Sequence, residues 1–161
     1  MLKSASVVGL LASLAVVVVA GPAMAAAACP NAGFTIVESR SSPKTRPVKD
    51  GDHHTLFVLR DQLTTTTDIT DIKLQSDADG AQLLLSLTPD AASQLHQATT
   101  NHDGLQFAFV VGDQALSNVT WSGPFGMDAG EGVQLSLGRL LPPDARSLVA
   151  AIQKCVAAGG K

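Results

Sequence analysis

Period-two alternation constrains this chain more than any other feature. Leu105, Phe107, Phe109 and Val111 put apolar side chains at every second position, which places them on one face of an extended strand. Gly112-Asp113 follows, with glycine at the first position of a two-residue turn, where a type II′ hairpin needs positive φ. Residues 114–121 then return as a partner strand. Upstream, residues 69–75 alternate with Ile72 and Leu74 on one face, Asp79-Gly80 is a hairpin dipeptide, and residues 81–87 come back as a leucine-rich, buried strand. Val133, Leu135 and Leu137 predict a last strand, and residues 34–39 and 55–60 are shorter apolar runs of the same kind. Between them, residues 40–54 are rich in Pro, Ser, Lys and Asp and read as a loop, while residues 63–68 form a threonine-rich connection that tolerates extended backbone.

Two stretches carry a helical period instead. Thr88-Pro89-Asp90 supplies a hydroxyl cap, proline at the first helical position and an acid in the first turn. Ala91, Leu95 and Ala98 follow as a narrow stripe of small residues. Pro142-Pro143-Asp144 opens a second helix with Ala145, Leu148, Val149, Ile152 and Cys155 on one face, ended by Gly159-Gly160. Strands, helix, three strands and helix predict an α+β fold, a mostly antiparallel sheet with two helices packed on one face. Leu83, Leu85, Leu87, Phe107, Phe109, Leu148 and Ile152 are its expected core.

The first residues stand outside that pattern. Lys3, the apolar block 7–20 and Ala23-Met24-Ala25 have the layout of a secretory signal peptide cleaved after Ala25, with Gly21-Pro22 ending the apolar region. An uncleaved membrane anchor and a lipid-modified Cys29 are the other two readings, the latter lacking the leucine usual three residues before such a cysteine. The expected organisation is therefore 1–25 signal peptide, 26–54 an N-terminal extension with a possible strand and a Pro/Lys-rich loop, and 55–158 the main domain. Cleavage removes one of the 11 basic side chains and none of the 14 acidic ones, so the net charge moves from −3 to −4. No basic field remains to hold nucleic acid. The cluster Arg40, Lys44, Arg46 and Lys49 is broken by Pro43 and Pro47 and reads as a solvated loop. Cys29 and Cys155 are expected to be bridged in an oxidising compartment, with their Cα atoms within about 7 Å. A buried free thiol at Cys155 is the alternative.

Reactive chemistry has little to stand on. Asp52-His53-His54 sits in the expected loop, and His96 and His102 are six apart, a spacing that does not share a helical face. The sequence has no nucleophile elbow, zinc-protease helix or glycine-rich phosphate loop. Asn118-Val119-Thr120 fits a glycosylation acceptor, which has meaning only in a host that glycosylates. Catalytic, metal and cofactor residues are accordingly expected to be absent.

The residue order from "TLFVLRDQLTTTTDITDIKLQSDADG" through "LLLSLTPDAASQL" and "LQFAFVVGDQALSNVTWSGPF" to "GVQLSLGRLLPPDARSLVAAIQKC" resembles the head subdomain of the first periplasmic domain of SecD and SecDF, export-assisting membrane proteins. The likeness covers roughly residues 55–155 and rests on structural motifs. The chain departs from the pattern at Gly112-Asp113, where the family's turn is usually Asp-Gly, and it carries neither the family's membrane helices nor its base subdomain. The resemblance implies a free-standing exported head without means to use a proton gradient, one that binds protein or an extended polypeptide, an envelope membrane protein among the candidates. The vehicle would be an exposed sheet edge, or the Gly/Pro-rich loop 122–132 where Trp121, Phe125 and Met127 bring large apolar groups together. A small secreted hydrolase or inhibitor using His53 or His54 is the second reading, and a structural envelope component the third.

Overall fold

The structure is a computed structural model and describes residues 29–77, 80–100, 104–123, 133–136 and 144–159. Among these residues eight strands and two helices follow one another: β1 (Ala32–Glu38), β2 (Thr45–Lys49), β3 (Thr55–Leu59), β4 (Ile69–Asp77), β5 (Gly80–Leu87), α1 (Pro89–Thr100), β6 (Gln106–Val111), β7 (Gln114–Thr120), β8 (Val133–Ser136) and α2 (Ala145–Gly159). A 3-10 turn, Thr66–Asp68, leads into β4.

The strands form two sheets, which corrects the expected single sheet under two helices. Five of them close into a barrel in the order β1-β3-β2-β7-β6, and β4-β5-β8 make a separate three-stranded sheet. The reason is legible in β6. Its alternation puts Phe109 and Val111 on one face, but Ala108 and Val110 between them are also apolar, and all four are at most 1% exposed. A strand that is apolar on both faces must be covered on both faces. Ala108 and Val110 join Val48, Val58 and Ala115 in a small cluster inside the barrel. Phe109 and Val111 turn outward into the larger core with Phe34, Ile72, Leu83, Leu85, Leu95, Val149 and Ile152. There Phe34 and Phe109, paired across β1 and β6, meet edge to face at 5.3 Å. Of the expected core, Leu83, Leu85, Phe107, Phe109 and Ile152 are buried, and Leu87 and Leu148 are half-buried against it.

Residues 40–54 are the second correction. They contain β2, which pairs along its length with β3, so the barrel draws strands from both sides of residue 55. The loop-like composition arises because β2 is nearly an edge. Its contact with β7 is one parallel step, Lys49 opposite Gln114, with the Lys49 N–H donating to the Asp113 carbonyl at 3.0 Å. Alternation then aims the nitrogen of Pro47 at the same side, where it has no hydrogen to donate, and the seam goes no further. The guanidinium of Arg46 spans the gap, donating to the Gly112 carbonyl at 2.9 Å and to the Asp113 carboxylate at 3.2 Å.

Turns and caps follow the local chemistry. Gly112 has φ +59° in the two-residue turn between Val111 and Gln114, as the sequence predicts. Leu116 has no partner in β6, because Ser117 faces Phe109 and Ala115 faces Val110; this bulge lets Ala115 point into the barrel and Leu116 into the outer core. Gly80 opens β5, paired with Asp77, and is not the turn residue that the Asp79-Gly80 dipeptide suggests. Thr88 caps α1, its hydroxyl accepting from the Ala91 N–H at 3.4 Å.

The threonine run closes a gap that no strand fills. β3 reaches β1 only at Val37 and Glu38, leaving the same edge of β1 open further back. There the Phe34 N–H donates to the Thr64 hydroxyl at 2.9 Å, the Phe34 carbonyl accepts from the Leu63 N–H at 2.7 Å, and the Ala32 N–H donates to the Thr66 hydroxyl at 2.8 Å. The chain comes so close that a Cβ at Gly33 would stand 1.8 Å from the Thr64 carbonyl oxygen. Gly33→Ala should therefore destabilise by at least about 2 kcal/mol in urea unfolding, since backbone rather than a flexible side chain must yield. Phe109→Ala should cost about 3–5 kcal/mol in the same measurement.

Candidate functional site

The three histidines among the described residues do not form part of a metal-ligating group. His53 and His54 are exposed in the β2–β3 connection, where the Asp50 carboxylate accepts the backbone N–H of Asp52 at 3.0 Å and of His54 at 2.8 Å and lies 3.4 Å from His54 Nδ1. His53 has φ +64° and its N–H donates to the Asp50 carbonyl, so the segment is a compact turn built on one aspartate. His96 lies half-buried on α1, and His102 falls outside the described residues. Among the described residues no three His, Cys, Asp or Glu side chains gather as metal ligands would. Trp121 is half-buried against the main core and, with Phe34, Leu95, Thr99, Phe107 and Val119, lines a small apolar cavity beneath α1. Phe125 and Met127, its expected companions, lie outside the described residues.

Cys29 and Cys155 are joined by a disulfide with a Cα–Cα distance of 5.8 Å. The bond ties the segment before β1 to the late turns of α2, beside a crevice of about 580 Å³ lined by Thr66, Thr67, Ile69, Thr70, Val156, Ala158 and Gly159.

A second depression lies along β4, the outer strand of the small sheet. It has a volume of about 370 Å³ and is lined by Leu74 and Ser76 of β4 and by Arg146, Val149, Ala150 and Gln153 of α2. The register shows which backbone groups face it. Ile72 directs its N–H and carbonyl away from β5, and strand alternation directs those of residues 74 and 76 the same way. At Ile72 both outward groups are occupied. Its N–H donates to the Asp71 carboxylate at 2.9 Å and its carbonyl accepts from Gln153 Nε2 at 2.8 Å. At Leu74 and Ser76 the outward groups have no partner among the described residues. The open edge is thus short and sharply bounded. α2 runs antiparallel to β4 here, with Gln153 at the Ile72 end and Arg146 towards Ser76.

Electrostatics reinforce the boundary. The Lys73 ammonium donates to the Asp71 carboxylate at 2.6 Å, and this hydrogen bond, with the Ile72 N–H assisting, holds the Asp71 carboxyl below the usual aspartate range. Its folded value is depressed, so the stabilisation is present above the unfolded value and is lost as pH falls through the folded one.

The described residues thus form a closed five-stranded barrel beside a three-stranded sheet and two helices. Two solved structures of SecDF share this fold. Over 77% of its length the chain is similar to the crystal structure of SecDF in its super-membrane-facing form, at TM-score 0.53 and 15% identity, spanning 18% of that chain. It is similar over the same 77% to a structure of SecDF described as a membrane component that enhances protein export, at TM-score 0.53 and 14% identity, spanning 62% of that chain. The chain therefore has a SecD/SecDF-like fold. No family model matches the sequence, and no curated protein does. Among the described residues no helix is long and apolar enough to cross a membrane.

The sequence marked β4 as a strand but gave no sign that its outer edge is open, because that depends on where α2 lies. In NMR titration, Lys73→Ala should return the Asp71 carboxyl toward the ordinary range near 4; an unchanged midpoint would assign the shift to the Ile72 N–H instead.

Proposed function

We propose that this chain is an exported binding module, periplasmic or secreted, that takes hold of extended polypeptide or an envelope protein partner and performs no chemistry of its own. Export rests on the leader sequence ending at Ala25 and on the Cys29–Cys155 disulfide. The SecD/SecDF-like fold supports a role beside proteins in transit, although the chain spans 18% and 62% of the two SecDF chains it matches.

The observation that carries the reading is the open edge of β4 at Leu74 and Ser76, beside a groove floored by α2. Unpaired strand edges are templates for another strand, and β-strand addition is a recurrent way to bind extended peptide without reading much of its sequence. The loop that starts at Trp121 and carries Phe125 and Met127 is a second candidate contact in this reading.

A chemically unfolded polypeptide, kept extended by alkylation of its cysteines, should bind the oxidised chain, while the same polypeptide in its folded form should not. Replacing His53, His54, His96 and His102 together should leave folding and this binding unchanged within about twofold. A quadruple variant that folds but loses a measurable turnover would replace the binding reading with the hydrolase one.

A further inference from the structure

We infer that the β4 groove is selective: it takes a short extended segment in which an apolar residue and an acidic residue are two positions apart, the acid being read by Arg146. This rests on the binding reading above and adds to it the chemistry of the segment.

The argument starts from length. Ile72 has both outward backbone groups occupied by Asp71 and Gln153, so a docking strand meets no free partner there and pairs only along Leu74 and Ser76. Two strand residues rise roughly 6.6 Å, so pairing is confined to a stretch of about three to five residues of the incoming chain.

Register comes next. Side chains of the added strand alternate, and every second one faces α2, roughly 6.6 Å apart. Val149 and Ala150 lie at the middle of the groove, and Arg146 lies one helical turn before Ala150, roughly 6 Å along the axis. The two spacings match. One α2-facing side chain of the ligand therefore rests on the small apolar surface of Val149 and Ala150, and the next, towards Ser76, arrives at Arg146.

Charge decides what the second one is. Arg146 is the one charged residue among those that line the groove, and among the described residues its guanidinium makes no ion pair. Asp71, the acid beside the occupied end of this edge, is engaged by Lys73. A carboxylate can accept two parallel hydrogen bonds from a guanidinium, whereas a lysine at that position would face a like charge. The chain as a whole is acidic, with net charge −3, so an acidic segment is held by this local contact and not by a general field.

The test uses the oxidised chain and short acetylated, amidated peptides, followed by NMR chemical-shift changes at Leu74, Ser76 and Arg146. The probes are Thr-Val-Thr-Glu-Thr and its reverse order, the same pair with Lys for Glu, and a pair with Glu moved by one position to the opposite face. One of the two Glu orders should bind at least about tenfold more tightly than its Lys and shifted-Glu counterparts, and Arg146→Glu should reverse the preference in favour of Lys. Equal binding of the Glu and Lys peptides, or a preference untouched by Arg146→Glu, would overturn the inference.

Two further probes separate that failure from failure of the binding reading. Ser76→Pro removes an outward N–H at an exposed edge position, where proline is tolerated. Peptides N-methylated at alternate residues remove one hydrogen-bonding edge of the ligand and leave the protein untouched. If one of the two methylated series and Ser76→Pro both abolish binding while charge has no effect, edge pairing stands and the acidic preference falls. If neither methylation pattern weakens binding, edge pairing falls and the inference falls with it.

Discussion

The arrangement depends on β1, a strand hydrogen-bonded on one edge by β6 and on the other by two different kinds of partner. Beyond Val37 the second edge is served by β3, and before it by Leu63 and the hydroxyls of Thr64 and Thr66. A buried strand cannot leave its N–H and C=O groups unpaired without a cost comparable to a lost hydrogen bond for each. Threonine side chains act here as a substitute strand, and Gly33 permits the approach because it has no Cβ to collide with the Thr64 carbonyl. Through this junction the chain leaves the barrel and enters the three-stranded sheet at Ile69, so both halves of the fold are fastened at one place.

The same end of the molecule carries the disulfide. Cys29 precedes β1 by a few residues and Cys155 lies in α2 two residues beyond Gln153, whose amide occupies the Ile72 carbonyl. The bond therefore holds α2 along β4 near the closed end of the groove, while the other end, at Ser76 and Arg146, stays open. Reduction would loosen the helix that floors the groove. Cross-linking two chain segments separated by 126 residues also removes much of the freedom of the unfolded chain.

Local signals in the sequence were read at face value with success where one physical requirement dominates. Positive φ at Gly112 follows from the hairpin, the start of α1 from Thr88-Pro89-Asp90, and the α2 stripe of Ala145, Val149 and Ile152 from helical period. They misled where two requirements compete. β2 reads as a loop because an almost-edge strand tolerates Arg46, Pro47 and Lys49 on its open side. The single-sheet expectation followed the Phe107-Phe109-Val111 face of β6 and passed over the Ala108-Val110 face, which small residues made easy to take for filler. The groove beside Arg146 was less visible still, since Leu74, Ser76, Arg146 and Ala150 are scattered over 77 positions, each ordinary in its own setting.

By itself the sequence determined most of the elements: the apolar strands, the two helices and the glycine turn at Gly112, with a pairing of Cys29 and Cys155 as the favoured reading. Those are short-range properties, set by backbone sterics, capping and side-chain period within a few residues. Only the tertiary structure decided that the strands divide into a barrel and a sheet, that threonine hydroxyls complete β1, and that β4 keeps an open edge beside Arg146. Each of these depends on surfaces that meet across long stretches of chain, 30 to 81 residues in the hydrogen bonds that mark them, and a pattern of apolar positions states that a face must be covered without stating by what.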